Sequence, residues 1–365
     1  MKRPLLAALL ALLALALTGC LFTINHPLGR DDGSLVLFVT ETGDYSLFPE
    51  NGTLHVRREN GTMAIDAARL VDAGGVLCLS PDQTEALYVD VQSAEIFGPV
   101  TSTLYRVKLE ANAVPERIYQ TQSAVAKAVW GEGDRVLLLV FGEGDLGTLL
   151  LLNLSTGETD RLGGDLLSFA GPLANGRLVL LAADEVGRLA VGLIIQWDPI
   201  TEEEIEVASF VLDESTFESF AALPHDFFWD VSPDGAWVAL CVYDATVTAP
   251  AMDAETPSLY LIDVTEQVSQ RIAAEAILPS FSPDGSVLSY VSATDGQVGI
   301  LMLRDLSSGQ TTAVPGTEGI STTFWISATK IGLTFEAGED NHRLVELDLE
   351  TEGMKDLGTQ PADPR

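Results

Sequence analysis

The sequence predicts an all-β chain folded as a β-propeller of four-stranded blades, and three observations carry that prediction. A turn of one type recurs: Ser282-Pro283-Asp284-Gly285, Ser232-Pro233-Asp234-Gly235 and, with the glycine lost, Ser80-Pro81-Asp82-Gln83. Proline presets φ at the first corner, Asp bonds the backbone ahead of it, and Gly accepts positive φ without steric cost. Each copy sits between two short apolar runs, as in Val231 to Leu240, and no long stretch shows a helical period. The motif starts, at 80, 232 and 282, lie 152 and 50 residues apart. Three blades in the larger gap give a period of about 51, close to the usual propeller repeat of roughly 40–50.

The elements follow in order. Residues 1–19 open with Lys2 and Arg3, continue as a Leu/Ala run from Leu5 to Leu17, and close on Leu17-Thr18-Gly19 before Cys20. The run is too short to span a membrane comfortably and fits a secretory signal that is removed. Residues 20–33 read as a tether, with Pro27, Gly29, Asp31, Asp32 and Gly33. Residues 34–358 form the propeller. Its expected units run from Ser34 to Leu70, Gly75 to Thr121, Ala124 to Gly164, Leu166 to Ser209, His225 to Ala274, Ala276 to Gly316 and Gly319 to Leu357. That makes seven blades, with six or eight as the alternatives, and leaves residues 359–365 as a disordered tail.

The chain of 365 residues is 47% hydrophobic with a mean hydropathy of +0.23, enough apolar content for a large core. Its net charge is −33, and loss of residues 1–19 removes Lys2 and Arg3 but no acid, which makes it −35. Such a surface repels phosphate backbones, so nucleic acid is excluded as a partner. The three cysteines, Cys20, Cys78 and Cys241, make no disulfide framework, and the last two lie in apolar strands as expected buried thiols. The histidines His26, His55, His225 and His342 form no metal pair or catalytic triad. Acidic turns such as Gly131-Glu132-Gly133-Asp134 match no twelve-residue calcium loop and read as solvated hairpin tips. No catalytic residue, metal site or cofactor is therefore assigned. Asp82, Asp234 and Asp284 read as turn formers. Trp130, Trp229 and Trp325 precede a turn position, where core packing is favoured over an aromatic ring near the axis.

Two resemblances add to this reading. Leu17-Thr18-Gly19-Cys20 resembles a bacterial lipobox, which implies acylation of Cys20 and a lipid anchor. With Leu21 after the cysteine, the resemblance implies the periplasmic side of an outer membrane in a two-membrane cell, and otherwise the outer face of the cytoplasmic membrane. The Ser-Pro-Asp-Gly turns, the Leu259-Tyr260-Leu261-Ile262-Asp263 strand and the Leu154-Ser155-Thr156-Gly157-Glu158 hairpin resemble the TolB-type propeller repeat, a WD40-like architecture, from about Gly75 to Leu357. Similar repeats form the propellers of prolyl-oligopeptidase-type peptidases. Those carry a hydrolase domain with a Gly-x-Ser-x-Gly elbow, and this sequence holds no such elbow. The sequence leaves no room for the extra α/β domain of TolB, so partners of TolB do not transfer.

The expected function is a lipid-anchored, monomeric envelope propeller that binds a protein, peptide or glycan ligand on one face, without catalysis. The rival is an envelope enzyme, a glycan lyase or hydrolase or a peptidase-like protein, with its site at the channel mouth. A purely structural envelope component is the third reading.

Overall fold

The computed structural model describes residues 28–29, 35–40, 51–58, 61–64 and 70–71. It also describes residues 77–361 apart from 94–99, 111–112, 143–145, 172, 174–175, 187–188, 213–227, 243–256, 295–296 and 337–340. The leader, Cys20 and the tail from residue 362 lie outside the described residues. Every described element of secondary structure is a strand. The chain divides into two compact units, Met1–Pro27, Val36–Ser168 and Phe217–Pro224 in one, and Leu28–Leu35, Phe169–Thr216 and His225–Arg365 in the other.

Short strands come first: β1 (Leu28–Gly29), β2 (Leu35–Thr40), β3 (Asn51–Arg58), β4 (Gly61–Ala64) and β5 (Leu70–Val71). In the first unit β3 pairs antiparallel with β4 and, at its start, with β5. A four-stranded meander follows: β6 (Leu77–Leu79), β7 (Glu85–Ser93), β8 (Val100–Lys108) and β9 (Glu116–Thr121). The next ladder is β10 (Ala124–Trp130), β11 (Arg135–Phe141), β12 (Gly147–Asn153) and β13 (Thr159–Ala170). The expected boundary between repeats near residue 165 falls inside β13, which is one long strand. Asp165 sits there at φ 59°, so the strand bends where the sequence reading placed a break.

The second unit holds β14 (Leu178–Val186), β15 (Leu189–Trp197) and β16 (Glu204–Leu212), then three four-stranded meanders. These are β17 (Trp229–Val231), β18 (Trp237–Val242), β19 (Ser258–Asp263) and β20 (Val268–Ala273); β21 (Ala276–Phe281), β22 (Val287–Thr294), β23 (Gln297–Asp305) and β24 (Thr311–Ala313); and β25 (Ile320–Ser327), β26 (Lys330–Glu336), β27 (Asn341–Asp348) and β28 (Gly353–Pro361). Within these three meanders each described pairing is antiparallel between chain neighbours. β1, inside the stretch expected as tether, lies beside β25.

Burial follows strand position. The second strands are buried on both faces, as in the run Val136 to Val140 of β11 and Val238 to Cys241 of β18. A sheet covered on both faces needs no polar alternation, which is why these segments read as continuous apolar runs. Among the fourth strands, Val268 to Arg271 of β20 and all of β24 face solvent. In the first unit a core joins Leu87, Val89 and Leu104 of one sheet to Val125, Trp130, Val136 and Leu138 of the next. In the second, Leu301 of β23 packs with Ile320, Ile331, Leu333, Val345 and Leu347 of the last sheet. Each such side chain contributes roughly 1.5–3 kcal/mol.

Four of the third strands carry a small residue near their start: Ser102, Gly147, Gly192 and Gly299. A Cβ on Gly147 would stand 2.6 Å from Leu139 Cδ1, one on Gly192 would strike the Phe210 ring, and one on Gly299 would strike Val291. The chain crossing to the following sheet is fastened nearby. Val125 N–H donates to Ser102 Oγ at 3.1 Å, Ala276 N–H to Pro257 O at 2.8 Å, and Gly319 N–H to Gly299 O at 3.2 Å.

Candidate functional site at the turn ends of the blades

The three Ser-Pro-Asp turns, each between a first and a second strand, are superimposable in their bonding. Ser80, Ser232 and Ser282 are buried, and each Oγ–H donates to the aspartate two residues on, at 2.7, 2.7 and 2.6 Å. The same Oγ accepts the N–H of Glu85, Trp237 or Val287 at 2.9, 2.9 and 3.0 Å. The aspartate Oδ1 then accepts the N–H of Thr84, Ala236 or Ser286 at 3.1, 3.0 and 3.1 Å. The serine carbonyl accepts the N–H of Gln83, Gly235 or Gly285, each at 2.8 Å. These last residues have φ of 57°, 73° and 73°, so Gln83 holds the left-handed conformation without glycine. Pro81, Pro233 and Pro283 occupy the exposed corner.

A second turn, between third and fourth strands, repeats as regularly, and the sequence reading saw only its Ser/Thr-Gly outline. Asn153, Asp198, Asp263 and Asp348 each use Oδ1 to accept the N–H groups two and three residues on, at 2.9–3.1 Å. Asp305 does the same with the Ser308 N–H at 2.7 Å and adds the hydroxyls of Ser307 and Ser308. Four residues after each comes a left-handed residue: Gly157, Glu202, Gln267, Gly309 and Glu352, with φ between 55° and 72°. The signal was present in the sequence as an Asx residue four places before glycine in two copies, but Glu and Gln hide it in three.

Backbone bonds tie the two turns together at one end of a sheet. Leu109 N–H donates to Thr84 O, Leu154 to Asp134 O, Val264 to Ala236 O, Leu306 to Ser286 O and Leu349 to Thr329 O, at 2.8–3.0 Å. Pro199 stands at this place in the β15–β16 hairpin and has no N–H to give. There Arg177 reaches over instead, to Gln196 at 3.0 Å, Glu203 at 3.1 Å and Asp198 at 3.8 Å.

Several of these carboxylates are held below the ordinary carboxylate range. Asp305 is drawn down to about 2, first by the Ser307 hydroxyl and then by the Ser308 N–H and hydroxyl. Asp82 and Asp284 are lowered first by the Ser80 and Ser282 hydroxyls and then by the N–H of Thr84 and Ser286. Asp198 is lowered by the Ile200 and Thr201 N–H groups. A base whose proton affinity is this low is poorly matched to proton transfer near neutral pH. Chemically the turn ends supply fixed negative charge on rigid supports.

The remaining sequence candidates are dispersed. Cys78 is half-buried and its thiol is pushed up to about 12 by burial; Cys241 is fully buried and its thiol is also raised by burial. Both are protonated at neutral pH and inert as nucleophiles. Trp130 and Trp229 are buried on the packed face of their strands, Trp130 with Arg106 5.7 Å from its ring centroid. Trp325 in β25 is partly buried against the core of the last sheet and donates Nε1–H to Ser280 O at 3.2 Å. All three tryptophans therefore pack into the body of their sheets, as core packing requires. His26 and His225 lie outside the described residues. Among the described residues no group of three His, Cys, Asp or Glu is placed to hold a metal ion.

No protein-family model matches the sequence, and no curated protein matches it either. Solved structures do. The propeller domain of the trilobed protease of Pyrococcus furiosus, whose ring has an open velcro topology, aligns with 93% of this chain and 98% of its own length. Its TM-score is 0.62 at 14% identity. The fold is a β-propeller. Prolyl oligopeptidase B from Galerina marginata gives a TM-score of 0.58 at 13% identity, over 97% of this propeller and 53% of that enzyme. TolB from Acinetobacter baumannii is also similar, with a TM-score of 0.46 at 14% identity over 72% of this chain. The propeller spans 61% of TolB and about half of the oligopeptidase.

Proposed function

We propose that this propeller is a non-catalytic binding module, held at the cell envelope by a lipid on Cys20, that takes a protein, peptide or glycan ligand on one face. The observation that carries the reading is the recurring turns, which set hydrogen-bonded carboxylates such as Asp234, Asp284 and Asp305 on rigid supports at the ends of several sheets. Rigid charged loops on a stable scaffold suit recognition, and a carboxylate already saturated by donors suits catalysis badly. The Leu17-Thr18-Gly19-Cys20 sequence supports export and anchoring, in an outer membrane facing the periplasm or on the outer face of a cytoplasmic membrane. The test is affinity capture of the intact protein from detergent-solubilised envelopes. A saturable partner recovered at low salt supports the module, and repeated recovery of none overturns it.

A second reading, an envelope hydrolase or lyase with its site at the channel mouth, draws on the peptidase company of the fold. Turnover of a peptide or glycan by the purified chain, abolished by one carboxylate substitution, would establish it in place of the first.

A further inference from the structure

β21 opens its sheet, and one residue inside it has a conformation foreign to a strand. Leu278, 5% exposed, stands at φ 55°. Among the described non-glycine residues with positive φ it is the only apolar one. A bulky side chain is an outlier in that region, and the proline that follows pushes its predecessor toward extended backbone. Ile277 pairs with Val291 and Ser280 with Ser289, so Leu278 and Pro279 together face the single Tyr290. That is a β-bulge, one residue longer on β21 than on its partner.

Strain of this kind persists where the surroundings over-determine it. Close by, one peptide group is gripped from three strands. Phe281 N–H donates to Asp230 Oδ2 of β17 at 2.7 Å. Ser280 O accepts Trp325 Nε1–H of β25 at 3.2 Å and Ser289 Oγ–H of β22 at 3.0 Å. Asp230 Oδ1 accepts Val231 N–H at 2.8 Å, which fixes the carboxylate, and β21 lies beside both β17 and β25. The first unit has the same contact in weaker form. Cys78 stands two residues before Ser80, as Asp230 stands two before Ser232, and its sulfur meets the Trp130 backbone. No residue of β10, the strand held there, has positive φ. The charged acceptor therefore sits where the held strand is strained. We propose that β21 is a loaded strand, kept in its bulged register by the Asp230–Trp325 clamp and poised to open locally when Asp230 lets go. This is a conformational device within the second unit and stands apart from the binding-module reading.

The experiment compares Leu278→Gly with Leu278→Ala in the full chain. Both lose the leucine packing, but only glycine is free of the left-handed penalty. Leu278→Gly should therefore melt above Leu278→Ala, the reverse of the usual order within a strand. Asp230→Ala is then added to each. Amide exchange over residues 276–281 should rise about tenfold in the parent and in the Leu278→Ala background, but less than about threefold with Leu278→Gly, while residues 341–348 of β27 stay unchanged. Asp230→Asn keeps an oxygen acceptor without the charge; it should give a smaller rise of the same pattern, and it serves where the alanine variant does not fold. Leu278→Ala melting at or above Leu278→Gly removes the strain and overturns the proposal. Equal acceleration in both backgrounds, or acceleration spread over every sheet, makes Asp230 an ordinary contact and overturns it as well.

Discussion

Gly285 and Gln83 occupy the same place in two copies of one turn, at φ 73° and 57°, and they let the cost of that conformation be measured inside a single protein. A Cβ on Gly285 meets only Pro233 Cδ at 3.5 Å, an ordinary contact, so backbone strain dominates there. Gly285→Val should cost at least about 1 kcal/mol, since a β-branched residue is poorly tolerated in the left-handed region. Gln83→Gly relieves strain but loosens the unfolded chain, and should stay within about 1 kcal/mol of the parent. Gly235→Ala should be worse than Gly285→Ala, because its Cβ would press on the Leu173 side chain. Chemical denaturation of the four variants checks the order. Equal midpoints for Gly285→Val and the parent would mean the turn is misassigned. At this scale the sequence spoke clearly where proline, aspartate and glycine coincide. It was silent about Gln83, Glu202, Gln267 and Glu352, whose positive φ comes from the hydrogen bonds around them and not from their own preference.

At the scale of the strand, hydrophobic runs were legible because a blade buried on both faces needs no alternation. Leu138, fully buried in β11 and part of the core between two sheets, makes the point quantitative. Leu138→Ala should cost about 2–5 kcal/mol by equilibrium denaturation, whereas Thr311→Ala on the exposed β24 should fall within about 0.5 kcal/mol. The small residues opening the third strands were not recognised, since a glycine in a strand gives no sign of the ring or methyl that fills its missing Cβ. The turn carboxylates set a pH window at the same scale. The folded pKa values of Asp82, Asp198, Asp234, Asp284, Asp305 and Asp348 lie below the ordinary 3.8, so their contribution is complete above that value and fades as pH falls toward about 2, the level of Asp305. The thermal midpoint should therefore hold down to about pH 5 and decline between about pH 4 and pH 2. Ser307→Ala removes the first donor to Asp305 and should make that decline shallower. A midpoint that begins to fall near pH 6 would place the controlling groups elsewhere, among residues of higher proton affinity.

At the scale of the whole molecule, the fold followed from the period of the repeat, while the proposed address rests on a stretch of sequence ahead of the described strands. If Cys20 carries the lipid, fewer residues separate it from the first strand than the expected tether of residues 20–33. β1 takes up Leu28–Gly29 beside β25, which leaves seven residues, 21–27, between anchor and fold. At about 3.5 Å per residue such a link spans at most some 25 Å, which would keep an anchored body near the headgroup layer. The processed chain would carry −35 and be repelled by anionic lipid there, so in this proposal acyl chains, each buried methylene contributing about 0.8 kcal/mol, hold it in place. Cys20→Ser should therefore either leave the leader uncleaved or release the processed body to the soluble fraction, with no residual electrostatic adhesion in low salt. Fractionation of cells expressing the variant, with the processed form identified by mass, decides between anchor and surface. Processed Cys20→Ser protein that still sediments with lipid would show that the propeller itself, and not an acyl group, makes the attachment.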